Sequence, residues 1–186
     1  MREINGWNNL DANSETVEFL NLKPGAYRCK ILEVRDDVQK ECLVIKFDIA
    51  EKNEYERYFG NKYMLDSNWP NQATIYKSYK ESASKFFRAF ITAIEKSNSH
   101  KNWRWDWDEK KLVGCFFVAV FGEEEYLDKE GNVKVSVKCQ EVRSLQAFNE
   151  GKIAIPELKK LKNRPVENTA VNSSVQFEVD EDDLPF

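Results

Sequence analysis

The chain is poor in the residues from which catalytic and metal sites are usually built. It holds one histidine, His100, and four cysteines, Cys29, Cys42, Cys115 and Cys139, none of them in a C-x-x-C pair. Zinc sites draw on closely spaced Cys and His, and a histidine-based triad needs a histidine with partners, so the sequence argues against both. Each cysteine stands in an apolar or alternating run and reads as a small strand residue. There is no glycine-rich phosphate loop, no nucleophile–base pair and no internal repeat. These absences predict a protein that is not an enzyme and needs no metal or cofactor. No apolar run reaches the ~18 residues of a membrane-spanning helix, and no signal-peptide pattern opens the chain. The expectation is a soluble, cytoplasmic protein.

Positive charge is also missing, but only at one end. No Lys or Arg follows Arg164, while Glu167, Glu178, Asp180, Glu181, Asp182 and Asp183 give 165–186 a charge of −6. Residues 1–164 hold 28 basic and 26 acidic residues, a charge of +2, so the net −4 originates in the tail. An acidic chain of this kind does not exclude a nucleic-acid partner. A near-neutral body must gather its cations on one surface to hold phosphate.

Apolar and aromatic residues are plentiful, at 41% and 13%, and 186 residues suit one domain with a tail. Residues 1–25 form a polar lead-in that packs on the domain through few apolar anchors, Trp7, Phe19 and Leu22. The domain spans 26–164. The tail, 165–186, is too polar and acidic to build a core and is expected to be disordered. Pro24-Gly25 turns into a first strand over 27–34, whose alternation breaks at Ile31-Leu32 and predicts a bulge. Asp36-Asp37 and Gln39 supply a hairpin to a second strand, where Leu43, Ile45, Phe47 and Ile49 alternate with Val44, Lys46 and Asp48. A third strand is predicted over 55–63 and a loop over 64–78. Ala83, Phe86, Phe87, Phe90, Ile91 and Ile94 then follow helical spacing, predicting a helix over about 79–97 with Ser78 and Glu81 as a capping box.

A long apolar strand over 112–121 comes next. Gly131-Asn132 turns the chain into a fifth strand in which Val133, Val135, Val137 and Cys139 alternate with Lys134, Ser136 and Lys138. Glu123-Glu124-Glu125 is assigned to the loop between these strands, where three carboxylates would repel phosphate. Two short helical pieces are expected over 144–164, one ended by Gly151 and one opened by Pro156. Three strands, a helix and two strands is the order of the oligonucleotide/oligosaccharide-binding (OB) fold. The predicted class is therefore mainly β with one major helix, a five-stranded Greek-key barrel with N- and C-terminal extensions.

Binding a single nucleic-acid strand takes cations along a groove and flat faces for the bases. Arg28, Lys30, Lys46 and Arg57 fall on or near one side of the first three predicted strands, and Lys134 and Lys138 on the polar face of the fifth. Tyr58, Trp69, Tyr76 and Tyr79 offer stacking faces, with Lys77 between two of them. The alternation Trp103, Trp105, Trp107 reads as the cap of a barrel end rather than a stacking ladder.

The chain closes on Asp180-Glu181-Asp182-Asp183-Leu184-Pro185-Phe186. Phe186 suits a pocket, the carboxylates a basic rim, and Pro185 stiffens the tip so that docking costs less entropy. This ending closely resembles that of bacterial single-stranded DNA-binding proteins, with Asp182, Asp183, Leu184, Pro185 and Phe186 matching position by position and Leu184 in place of the more usual Ile. Most of 20–162 also resembles a family of small proteins of phages and prophages of Gram-positive bacteria. That likeness runs through Leu22 to Ile49, Ser78-Tyr79-Lys80, Trp105 to Gly114, Val142-Arg143-Ser144 and Pro156 to Lys160. The resemblances imply a phage-encoded protein of the bacterial cytoplasm that coats single-stranded DNA with little sequence preference. They further imply that it recruits replication, recombination or repair proteins through Asp182 to Phe186, and a homo-oligomer is one expected form. The alternative they leave open is a mimic of the tail that captures or inhibits host enzymes and binds no DNA.

Overall fold

The computed structural model describes residues 20–63, 69–99 and 103–161. Five antiparallel strands, β1 (Gly25–Asp37), β2 (Cys42–Ile49), β3 (Thr74–Ser78), β4 (Phe116–Leu127) and β5 (Val133–Arg143), form one sheet in the order β3-β2-β1-β4-β5. This is the strand order of an OB barrel opened at the seam between strands three and five. Among the described residues no ladder joins β3 to β5. A 3-10 turn at Asn71–Ala73 packs against β5 instead, and the helix α2 (Ser84–Ser97) packs against β3, β4 and β5.

Strand alternation puts Cys29 and Ile31, Ile45, Phe47 and Ile49, and Phe117, Ala119 and Phe121 on one face, all almost fully buried. The helix supplies Phe90, Ile91 and Ile94 to the same core, at the i, i+1, i+4 spacing that gathers one face of a helix. Phe47 meets Phe117 edge-on at 5.2 Å between ring centroids. Removing each such side chain from water contributes roughly 1.5–3 kcal/mol. Polar groups pin the end of α2. Asn98, fully buried, donates from Nδ2 to the carbonyls of Ile94 and Phe116 and accepts at Oδ1 from the Phe116 N–H. Ser97 Oγ donates to Ala93 O and accepts from the Leu145 N–H, tying α2 to α3 (Leu145–Asn149).

The bulge predicted at Ile31-Leu32 is present: the β1–β2 register shifts between Ile31 and Glu33. Gly151, at φ +66°, ends α3 as expected, because the left-handed region costs glycine nothing. Five expectations are corrected. Residues 55–63 are not a strand, since Tyr58–Tyr63 form α1. Tyr55, Tyr58 and Phe59, all buried, have helical rather than alternating spacing, and the Asp48 carboxylate accepts the N–H groups of Phe59 and Gly60 at the start of the helix. The third strand is instead Thr74–Ser78, within the stretch assigned to a loop. Helix α2 begins only at Ser84, and Ser78 Oγ accepts from the Lys80 N–H rather than completing a capping box. Glu123, Glu124 and Glu125 lie inside β4, and Pro156 opens no helix. The chain there runs extended, with Lys159 bridged in parallel to Glu124 along the β4 edge that β1 leaves free beyond Phe121.

Candidate nucleic-acid interface

The face of the sheet opposite the core carries a cationic stripe. Before the bulge Arg28 and Lys30 point outward from β1, Lys30 opposite Asp48 on β2 and Phe116 on β4. After it, Glu33 pairs with Lys46 and Arg35 with Val44, and β3 adds Thr74 and Tyr76 on the same face. The sheet does not lie bare. Between β2 and β3, residues 56–63, Arg57, Gly60 and Tyr63 among them, and Trp69 help line a cleft of about 550 Å³ with Lys30, Leu32, Asp48 and Phe116. A second hollow, about 640 Å³, lies beyond Phe116, with Arg28, Lys52, Leu145 and Phe148 in its walls. The two share Ala50 and Phe116 and so lie side by side along this face, together termed the groove. Arg28 holds its guanidinium 4.4 Å above the Phe116 ring, a cation–π contact.

Asp48 forms part of the floor of this cleft and is 6% exposed. Its Oδ1 accepts from the N–H groups of Ile49 at 2.8 Å and Phe59 at 3.0 Å, and Oδ2 from Gly60 at 2.8 Å. Burial raises its pKa, while the three N–H bonds and the nearby Arg57 pull it back down. A Cβ at position 60 would stand 2.9 Å from Oδ2, so any residue larger than Gly60 would have to push the carboxylate aside. Lys30 and Arg57 line the cleft; among the described residues neither is within ion-pair distance of a carboxylate, though Arg57 is near enough to Asp48 to lower its pKa. Trp69 is half-buried, its Nε1 donating to Ala73 O at 3.0 Å, which fixes the indole at the cleft edge.

The predicted site residues thus divide. Lys30, Arg57 and Trp69 meet in one cleft, and Arg28 adjoins it. Lys46 shares the face, but its ammonium is 3.0 Å from Glu33. Tyr76 is 61% exposed on that face, outside the cleft. Tyr58 is no stacking platform: it is buried against Tyr55 and Phe59, and its hydroxyl accepts from Leu22 N–H and Lys62 Nζ. Lys77 lies on the core side opposite Leu43, 5.6 Å from the Phe90 ring, where burial lowers its pKa. Tyr79 lies outside the groove as well, donating to Asp36 Oδ1 beside Phe87. Lys134 and Lys138 sit on the β4–β5 arm, paired with Asp128 at 2.9 Å and Glu124 at 3.5 Å.

Trp103 and Trp105 pack against the core as expected of a barrel cap, whereas Trp107 is 75% exposed and stacks on Phe87. Sequence reasoning missed Asp48, Tyr63, Phe116 and Phe148. The one available signal was that Phe116 begins an alternating run; what places it beside Lys30 is the β1–β4 register. Asp182, Asp183, Leu184, Pro185 and Phe186 lie outside the described residues. Among the described residues no three His, Cys, Asp or Glu gather to hold a metal ion, and no helix is long and apolar enough to cross a membrane. No protein-family model and no curated protein matches the chain.

Proposed function

We propose that the protein binds single-stranded DNA in the groove over β1, β2 and β4 and recruits replication, recombination or repair proteins through its acidic C-terminal tip. The observation that carries this reading is the meeting of unpaired cations and aromatic rings in one open groove: Lys30 and Arg57 with Trp69, Tyr63 and Phe116, continued by Arg28 and Phe148. Cations spaced along a groove take successive phosphates, and rings between them take bases. A duplex hides its base faces in the stack, so the groove favours single strands. The C-terminal likeness to bacterial single-stranded DNA-binding proteins supplies the second half of the reading, and a phage origin agrees with the likeness of the body.

The test is a titration of a labelled mixed-sequence single strand and its duplex across a range of salt concentrations. Tight, salt-sensitive binding of the single strand and weak binding of duplex are expected, each phosphate contact adding about −0.7 to the slope of log K against log salt. A flat salt response, or equal affinity for duplex, overturns the groove as a DNA site. Pull-downs of bacterial replication and recombination proteins test the tip. Wild-type chain should capture partners that Phe186→Ala and a chain lacking 178–186 do not, while DNA affinity holds for Phe186→Ala and holds or rises for the truncation, which sheds a competing polyanion. Partner capture without any DNA binding would leave only the mimic.

A further inference from the structure

We infer that the cleft beneath Trp69 holds one base and favours bases that carry an exocyclic amino group, read by the buried carboxylate of Asp48. This rests on the proposed single-strand reading and adds a preference to it. A site serving only the phosphate backbone gains nothing from a carboxylate in its floor, because that charge opposes phosphate. Asp48, 94% buried and held as the cap of α1, nonetheless lines the cleft together with Lys30 and Arg57. Its three backbone hydrogen bonds use both Oδ1 lone pairs and one of Oδ2. One acceptor site on Oδ2 is left over, on a residue that lines the cleft.

The walls suit a base. Trp69, Tyr63 and Phe116 present rings, and Lys30 and Arg57 stand where flanking phosphates would be met. A carboxylate oxygen at the bottom can accept only from a donor. Cytosine offers its 4-amino group, and adenine and guanine their own amino groups; thymine's one donor on that edge, N3–H, lies between the O2 and O4 carbonyls, whose lone pairs repel an approaching carboxylate. The backbone bonds hold the carboxylate ready, so little ordering is needed on binding. Thymine is the base the cleft should take least well.

The decisive pair of ligands is a 5-methyl-deoxycytidine strand and a deoxythymidine strand of equal length. These bases share the 5-methyl group and ring shape and differ at position 4 and in the N3 proton. Fluorescence-anisotropy titration of the full chain should show the 5-methylcytosine strand binding about tenfold tighter, as expected for one hydrogen bond to a charged acceptor. Asp48→Asn should bring the two strands close together. Because Asp48 also caps α1, that variant can fail to fold. A photoactivated 5-iodocytosine strand then locates the base on the wild-type chain, with crosslinks expected at Trp69, Tyr63 or Phe116. Equal affinity for the two strands overturns the base preference and leaves the single-strand reading intact. Tenfold discrimination retained in a folded Asp48→Asn chain, or crosslinks confined to other residues, overturns Asp48 as its source. No binding of either strand removes both readings.

Discussion

The groove over β1 and β2 and the arm formed by β4 and β5 are built from the same materials: antiparallel strands with lysines alternating outward. They differ in what the lysines meet. On the arm, Lys134 faces Asp128, and Lys138 and Lys159 share Glu124. In the groove, Lys30 and Arg57 surround a carboxylate already taken up by three backbone N–H groups, and neither forms an ion pair among the described residues. A cation in a close ion pair must give up its partner to take a phosphate, whereas Arg57 has only a longer-range attraction to Asp48 to weaken. The number of lysines on a strand therefore says little about where a polyanion binds. Their partners matter more, together with the aromatic rings that gather around the groove, where the arm shows Tyr126 alone.

The largest expected effect separates these regions directly. Reversing both groove charges, Lys30→Glu with Arg57→Glu, should weaken single-strand binding on the order of a hundredfold. Each lost phosphate contact costs about fivefold near 0.1 M salt, and repulsion adds to that. Lys134→Ala with Lys138→Ala should change affinity less than about twofold by the same measurement, since those charges are already neutralised. Equal losses from the two doubles would break the distinction.

A smaller effect should come from the rings. Trp69→Ala is expected to weaken binding by about 1–3 kcal/mol if the indole stacks on a base. Trp105→Ala, half-buried against Phe87 and outside the groove, should leave affinity near wild type and lower stability by about 2 kcal/mol, read as a reduced Tm. Tryptophan fluorescence quenched by DNA equally in wild type and Trp69→Ala would move the stacking role to another ring.

The smallest and sharpest effect is in the titration of carboxylates. Burial raises the pKa of Asp48, whereas the Lys159 ammonium lowers that of Glu124 and the Lys134 ammonium that of Asp128. The signs are opposite. As pH falls towards the ordinary carboxylate range, Asp48 takes up its proton in the folded state before it would in the unfolded chain, which favours folding. Glu124 and Asp128 contribute stability above their unfolded pKa values and lose it as pH falls through their lowered folded values. Carboxyl-carbon NMR should find Asp48 titrating above an ordinary aspartate and the arm pair below ordinary carboxylates. Asp48 titrating below an ordinary aspartate would contradict its desolvated place in the cleft floor.

Much of the sheet was legible because strand alternation is a local signal. Leu43, Ile45, Phe47 and Ile49 announced β2, and Gly131-Asn132 announced the turn into β5. Two of the five errors lay between β2 and β3. There Tyr55, Tyr58 and Phe59 looked like a strand because aromatics favour strands, but their burial follows helical spacing around the Asp48 cap. The true β3 is five residues long, too short for its alternation to stand out beside Pro70 and Asn71. The candidate site fared likewise. Alternation placed Arg28 and Lys30 outward, but it could not tell a lysine with a partner from one without.

Local residue chemistry alone determined the class of this protein: which runs alternate, which run is helical, where turns fall, and that the C-terminal 165–186 carry the negative charge. These depend on neighbours within a few positions, so they survive without the fold. Tertiary structure decided what the surface can do. Phe116 stands beside Lys30 because β1 and β4 pair in one register, 86 residues apart in the chain. Asp48 is buried where Phe59 and Gly60, eleven and twelve residues later, fold back and donate their N–H groups to it. Lys77 faces the core and Lys30 the groove because sheet order gives each strand a covered side. Distance through space, which no local pattern encodes, determines which charges are paired and which remain for a ligand.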